Sequence, residues 1–161
     1  GYLVANGYAY LGDDVIAIGD SADEILPLPT CLSIKEGSWI LLAPFYPTLL
    51  HTPQISIFGR TLRYIPPEGN YKTMKAALAP SAIVFPTYKA GTSVHVNSLQ
   101  PVETIIRLVK ANAALAAPAT AEKLEKFLRF VEQTPAYELT YSELPSALKA
   151  IEDLLAAQPQ E

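Results

Sequence analysis

The apolar residues change period near residue 98, and that switch constrains the fold more than any other feature of the chain. Residues 8 to 65 are rich in β-branched and aromatic side chains broken by turn formers, which predicts strands at Tyr8 to Leu11, Val15 to Ile18, Glu24 to Leu26, Cys31 to Ile34 and Trp39 to Leu42. "SIFGRTLRYIP" reads as a hairpin of Ile55 to Phe58 and Thr61 to Ile65 about a Gly59-Arg60 turn. "PSAIVFPTY" and "TSVHVNSL" add two strands, Pro86 marking an edge or a strand end because it lacks an amide hydrogen. Beyond Ser98, taken as an N-cap with Pro101 in the first turn, Leu99, Val102, Ile105, Ile106 and Val109 recur at helical spacing. A second helix from Thr120 aligns Leu124, Phe127, Leu128 and Val131. A third, from Ser142, aligns Leu144, Leu148, Ile151, Leu154 and Leu155. "AYELTY" lies between these two as a short strand, and "AALAAPATA" reads as a connector. Strands followed by helices imply an α/β or α+β class, with a mixed sheet, hairpins in the N-terminal two-thirds and packed helices at the C-terminus.

With 161 residues, half of them hydrophobic, the chain can build one compact domain over residues 1 to 161, or two small lobes. The net charge of -4, with Lys and Arg scattered, argues against a nucleic-acid partner. No apolar run approaches the roughly 20 residues that span a bilayer, and no signal peptide is evident, so a membrane is not expected and a cytoplasmic setting is. Cys31 is the single cysteine, which excludes an internal disulfide and predicts a small buried apolar residue. "GYLVANG" resembles the last turn of an amphipathic helix closed by a left-handed Gly, so the chain is expected to be a fragment.

The chemistry-bearing stretch is "GYAYLGDDVIAIGDS", where Asp13 and Asp14 interrupt an apolar run. Neighbouring strand residues face opposite ways, so both acids serve one site only if the strand bends or ends there, and Gly12 permits that bend. One carboxylate on Mg²⁺ and one accepting a hydroxyl proton is the functional reading; a solvated turn, where Asp is common, is the alternative. "GDSADE", residues 19 to 24, lacks the spacing of a calcium loop and reads as a hairpin loop. Lys35 follows an apolar strand and precedes a turn, suited either to neutralising phosphate or to a solvated surface. Arg63, between Leu62 and Tyr64, suits a phosphate or carboxylate clamp or a surface position, while Arg60 reads as solvated. His51 and His95 stand apart, His95 as a solvent-facing strand residue. Trp39, Phe45 and Tyr46 read as core or rim aromatics.

In order along the chain, "LVANGYAYLGDDVIAI", "LPLPTCLSIKEGSW", "RTLRYIPP", "AIVFPTY" and "YELTYSELPSALKAIEDLL" resemble the C-terminal part of kinases related to HPr(Ser) kinase/phosphorylase. That resemblance implies a phosphoenolpyruvate-carboxykinase-like P-loop fold, with these residues forming the C-terminal portion of a larger kinase-like domain. In such kinases a Walker A loop, G-x-x-x-x-G-K-[ST], lies upstream, and this chain contains none. The resemblance casts the pair Asp13 and Asp14 as catalytic base and metal-associated carboxylate, Asp13 being the favoured base and Asp14 the favoured metal ligand with the division between them left open, and it sets Lys35 and Arg63 towards nucleotide or acceptor. It implies ATP and Mg²⁺ as cofactors of the complete enzyme, a protein or peptide acceptor phosphorylated on Ser or a similar hydroxyl, and a fragment inactive alone. The rival expectation is a non-catalytic peptide- or protein-binding module on the same scaffold. A carboxylate-metal hydrolase would need further acids or His near Asp13, and a homo-oligomer is left open.

Overall fold

The computed structural model describes residues 1–19, 24–67, 78–111, 113 and 118–157. Residues 20–23 of "GDSADE" and 114–117 of "AALAAPATA" lie outside the described residues. The chain divides into two units, one of Gly1–Ile18 with Ile25–Leu78 and one of Gly19–Glu24 with Ala79–Glu161. Together they hold three small sheets, one of them mixed, and the longer helices lie towards the C-terminus, as the change of period implies.

In the first unit, helix α1 (Tyr2–Ala5) ends as its sequence suggests. Gly7 takes a φ of 92°, and the N–H groups of Gly7 and Tyr8 close back on the carbonyls of Val4 (3.1 Å) and Leu3 (3.2 Å). This double closure satisfies carbonyls that the helix cannot. The next segment departs from expectation. Tyr8 to Leu11 joins no ladder; it is held by the buried Tyr10, whose hydroxyl donates to the Thr30 carbonyl (2.9 Å), and by a single parallel bridge of Gly12 to Leu28. Strands β1 (Ala17–Ile18) and β2 (Ile25–Leu26) form a short antiparallel pair.

Strand β3 (Leu32–Lys35) pairs with β5 (Arg60–Ile65), and β5 pairs with β4 (Gln54–Ile57), giving the antiparallel order β3-β5-β4. The β4–β5 turn is Phe58-Gly59, one residue earlier than expected. Both residues have positive φ (49° and 72°), which is the requirement of the two-residue hairpin turns that match strand twist. Cys31 is exposed rather than buried, because it precedes β3 and the inward phase belongs to Leu32 and Ile34.

The stretch expected to be a strand at Trp39 to Leu42 is instead the helix α2 (Trp39–Leu42), following a 3₁₀ turn at Glu36–Ser38. Its tertiary role explains the difference. Within α2 Leu42 is buried, and Tyr46 and Leu49, in the irregular segment and 3₁₀ turn that follow, join it in the core with Trp39 packed against them. Four apolar residues are too few for period alone to tell helix from strand. Tyr10, Leu32, Ile34, Leu42, Tyr46, Leu49 and Ile65 make up this core.

In the second unit, β8 (Ala136–Tyr141) is central, parallel to β6 (Ile83–Tyr88) and antiparallel to β7 (His95–Leu99). Pro86 accordingly lies on an edge strand. The register aligns Phe85, Glu138 and Asn97 on one face. Helix α3 (Pro101–Lys110) lies over that face, since Arg107 pairs with Glu138 (2.8 Å) and stands 5.8 Å from the centre of the Phe85 ring. Ser98, expected to cap α3, belongs to β7; the cap is Gln100, whose N–H is accepted by the Glu103 side chain (2.9 Å). Thr120 caps α4 (Ala121–Gln133), its hydroxyl accepting from the Lys123 N–H (3.3 Å), and α5 (Leu144–Ala156) follows β8 directly. Among the described residues, no helix is long and apolar enough to cross a membrane.

Candidate functional site

The two acids meet at one residue, Ser33. Burial along β3 alternates, with Leu32 and Ile34 inward, so Ser33 and Lys35 face the other way. From that side Asp13 Oδ2 accepts both the backbone N–H of Ser33 (2.6 Å) and its hydroxyl (2.7 Å). The same hydroxyl lies 3.2 Å from Asp14 Oδ2. The carboxylate of Asp13 thus occupies an outward N–H of an edge strand that would otherwise need water or another strand.

A tight turn lets adjacent residues aim at one point. The Val15 N–H donates to the Asp13 carbonyl, and Asp14, between them, has a φ of 46°. This left-handed conformation costs most residues about 1 kcal/mol or more and is tolerated better by Asp and Asn than by branched residues. Gly12 is required for a different reason. A Cβ there would lie 2.9 Å from the Leu28 carbonyl oxygen and 3.2 Å from that of Val15, so only glycine allows the bridge that holds the turn against the following segment. The bend expected at Gly12 is therefore present, although no regular strand precedes it.

Burial raises the pKa of the Tyr10 hydroxyl, with its hydrogen bond to Thr30 opposing and the nearby Asp13 charge adding a smaller push.

The basic residues separate. Lys35 is exposed on the face that carries Ser33, two residues further along β3. Arg63 is opposite Ile34 in the β3–β5 register and so belongs to the other face of the sheet. Its guanidinium lies 4.2 Å from the centre of the Trp39 ring and donates to the Leu49 carbonyl (2.9 Å), while its buried Nε has no hydrogen-bond partner. Trp39 is oriented in turn by its indole N–H, which donates to the Ile34 carbonyl (2.9 Å). Arg63 is thus integrated into packing, and the register keeps it away from the acidic pair. His51 and His95 are both exposed, with Ser93 Oγ 3.0 Å from His95 Nε2.

Among the described residues, no three His, Cys, Asp or Glu side chains gather into a metal-holding group. The two carboxylates and the hydroxyl are hard oxygen donors and too few for an all-protein cage. Sequence reasoning missed Ser33, although its place between two inward residues of "LSI" put it on the outward side of β3. No family model matches the chain, and neither a curated protein nor a solved structure matches it.

Proposed function

We propose that the chain is the C-terminal part of an ATP-dependent, Mg²⁺-assisted kinase that phosphorylates a Ser or similar hydroxyl on a protein or peptide, acting in the cytoplasm. The observation that carries this reading is the convergence of Asp13 and Asp14 on the Ser33 hydroxyl. A Ser hydroxyl 2.7 Å from Asp13 illustrates the contact that an acceptor hydroxyl would make with a general base. Asp13 has a second carboxylate oxygen, and through it would accept the proton of the acceptor as the phosphoryl group is transferred. Asp14, exposed and less tightly held, would hold Mg²⁺, which when bound supplies charge neutralisation at phosphate oxygens. Lys35, on the same face of β3, would add a positive charge near those oxygens. Arg63 would reach a phosphate only by leaving Trp39 and the Leu49 carbonyl, so its part in this reading is to fix the sheet behind the site.

The resemblance to HPr(Ser) kinase-type enzymes supports the same reading, and the phosphate-cradling Walker A element would have to come from sequence preceding Gly1. The test is phosphate transfer from ATP by the complete gene product. Asp13→Asn and Asp14→Asn should each lower kcat by about 100-fold or more, the scale of a lost general base or charge-stabilising group. Full activity in both variants overturns the assignment.

A second reading, a non-catalytic peptide-binding module, is favoured by β4, an edge strand whose residues, Gln54 to Ile57, are all exposed and uncharged. Such an edge can take an added strand. A gene product that lacks a Walker A motif and binds peptide through β4 would replace the kinase reading.

A further inference from the structure

We infer that the outer side of α3 is a docking surface for a second copy of this chain, the two helices lying antiparallel in a weak, reversible dimer. The inference is independent of the kinase reading. It begins with a helix whose polar and apolar sides are reversed. The buried residue of α3 is Thr104, whose hydroxyl donates to the Gln100 carbonyl (3.1 Å), and Arg107 turns towards the sheet to pair with Glu138. Val102, Ile106 and Val109 are meanwhile 67%, 49% and 58% exposed. At 3.6 residues per turn these three fall within about 60° of one another, so they form a continuous apolar stripe on the side away from Thr104. A stripe of large side chains turned to water marks a contact surface, as scattered ones do not.

The charges beside the stripe select its occupant. Glu103 and Lys110 are both exposed and stand within about 20° of each other on one flank, with Ile106 near the midpoint between them. A two-fold axis close to Ile106 therefore brings Glu103 of each copy beside Lys110 of the other, in two equivalent pairs, while Val102 of one copy packs near Val109 of the other. A parallel copy would set the charged flank beside Ile105 and leave both charges unmatched, so the same residues fix the orientation. Among the described residues Lys110 forms no ion pair, and Glu103 gives only Oε2 to the Gln100 N–H, so both remain able to pair across the axis. A stripe of three side chains covers well under the roughly 1,000 Å² of a standard interface, which makes the association weak.

The experiment is sedimentation equilibrium of the 161-residue chain from about 10 µM to about 1 mM, the range suited to an interface below standard size, at low ionic strength where surface charge is least screened. Circular dichroism confirms that each variant is folded. The wild-type mass should rise from monomer towards dimer. Ile106→Lys, which sets two like charges close to the axis, should weaken association by at least about tenfold. Glu103→Lys and Lys110→Glu should each weaken it by about tenfold, because both symmetry-related pairs are reversed together. Mixing these two charge variants should restore wild-type association, since each chain then offers the charge that the other needs. A monomer at every concentration overturns the inference; if Ile106→Lys also lowers its stability, the stripe is covered within the chain instead. A dimer that Ile106→Lys leaves intact places the contact elsewhere and overturns it as well, as does a mixture of the two folded charge variants that associates no better than either alone.

Discussion

The two units solve the same problem with different materials. The second is built from α3, α4 and α5, of ten to thirteen residues each, and from strands of five or six residues. Each of these elements is long enough to show its period. The first unit has helices of four residues and strands of two to six, so its elements depend on one core of residues far apart in sequence. The acidic site lies in this first unit. A turn of adjacent acids against a strand edge is a local irregularity, and short elements joined by tight connections supply such irregularities where long ladders and helices do not.

The largest effects should come from the two cores. Leu49 in the first unit and Leu139 in the second are both almost completely inaccessible, and truncation of either to Ala should cost about 2–5 kcal/mol in denaturant unfolding. Trp39, the chain's single tryptophan, packs on the first core, so its fluorescence reports Leu49→Ala directly, with far-ultraviolet circular dichroism following Leu139→Ala. A small loss at Leu49 alone would mean that the short elements hold together by something other than this core.

Gly12→Ala comes next, at about 1–3 kcal/mol, because the added carbon meets backbone oxygens that cannot rotate away. The same substitution should raise amide hydrogen exchange at Ser33 by loosening the turn that aims Asp13. Unchanged exchange there would separate the glycine from the acidic site.

Tyr10→Phe should cost about 1 kcal/mol through loss of the hydrogen bond to Thr30. It should also change the pH dependence. Burial raises the Tyr10 pKa in the folded chain, so its stabilising contribution is fully present below the ordinary tyrosine value of about 10 and is lost as pH rises through the higher folded value. Unfolding followed from pH 8 to 11, a range placed about that ordinary value, should show an alkaline decline that is smaller in Tyr10→Phe. Equal declines would remove Tyr10 as the cause.

The smallest effect is expected on the solvent side of the second unit. Lys149 pairs with Asp153 one helical turn away, both well exposed, and the hydrogen bond to Asp153 raises the Lys149 pKa. Exposed pairs are screened by water and salt, so Lys149→Ala should leave the unfolding midpoint of α5 unchanged within error. A clear loss would show that surface charge does in the second unit what buried packing does in the first.

How far the sequence could be read follows this same division. The helices after residue 98, the hairpin from β4 to β5, and the strand at "AYELTY" were all legible, because each repeats a pattern long enough to distinguish alternation from a helical stripe. Trp39 to Leu42 was not, since its orientation depends on Tyr46, beyond Pro44, and on Leu49, beyond Pro44 and Pro47. Ser98 was a plausible cap until the pairing of β7 with β8 extended to Leu99. At the site, the identity of the acidic pair and the need for Gly12 could be read locally, but the residue on which the pair converges could not: Ser33 is 20 positions from Asp13.

The sequence by itself determined where carboxylates, turn formers and helical stripes fall, because propensity, turn chemistry and hydrophobic period act over a few residues. Tertiary structure alone decided that Asp13 and Asp14 share the Ser33 hydroxyl, and that Arg63 turns to the opposite face from Lys35. Those outcomes depend on register and on contacts across the core. A shift of one residue in pairing reverses the face of every side chain on a strand, and no local pattern records that choice.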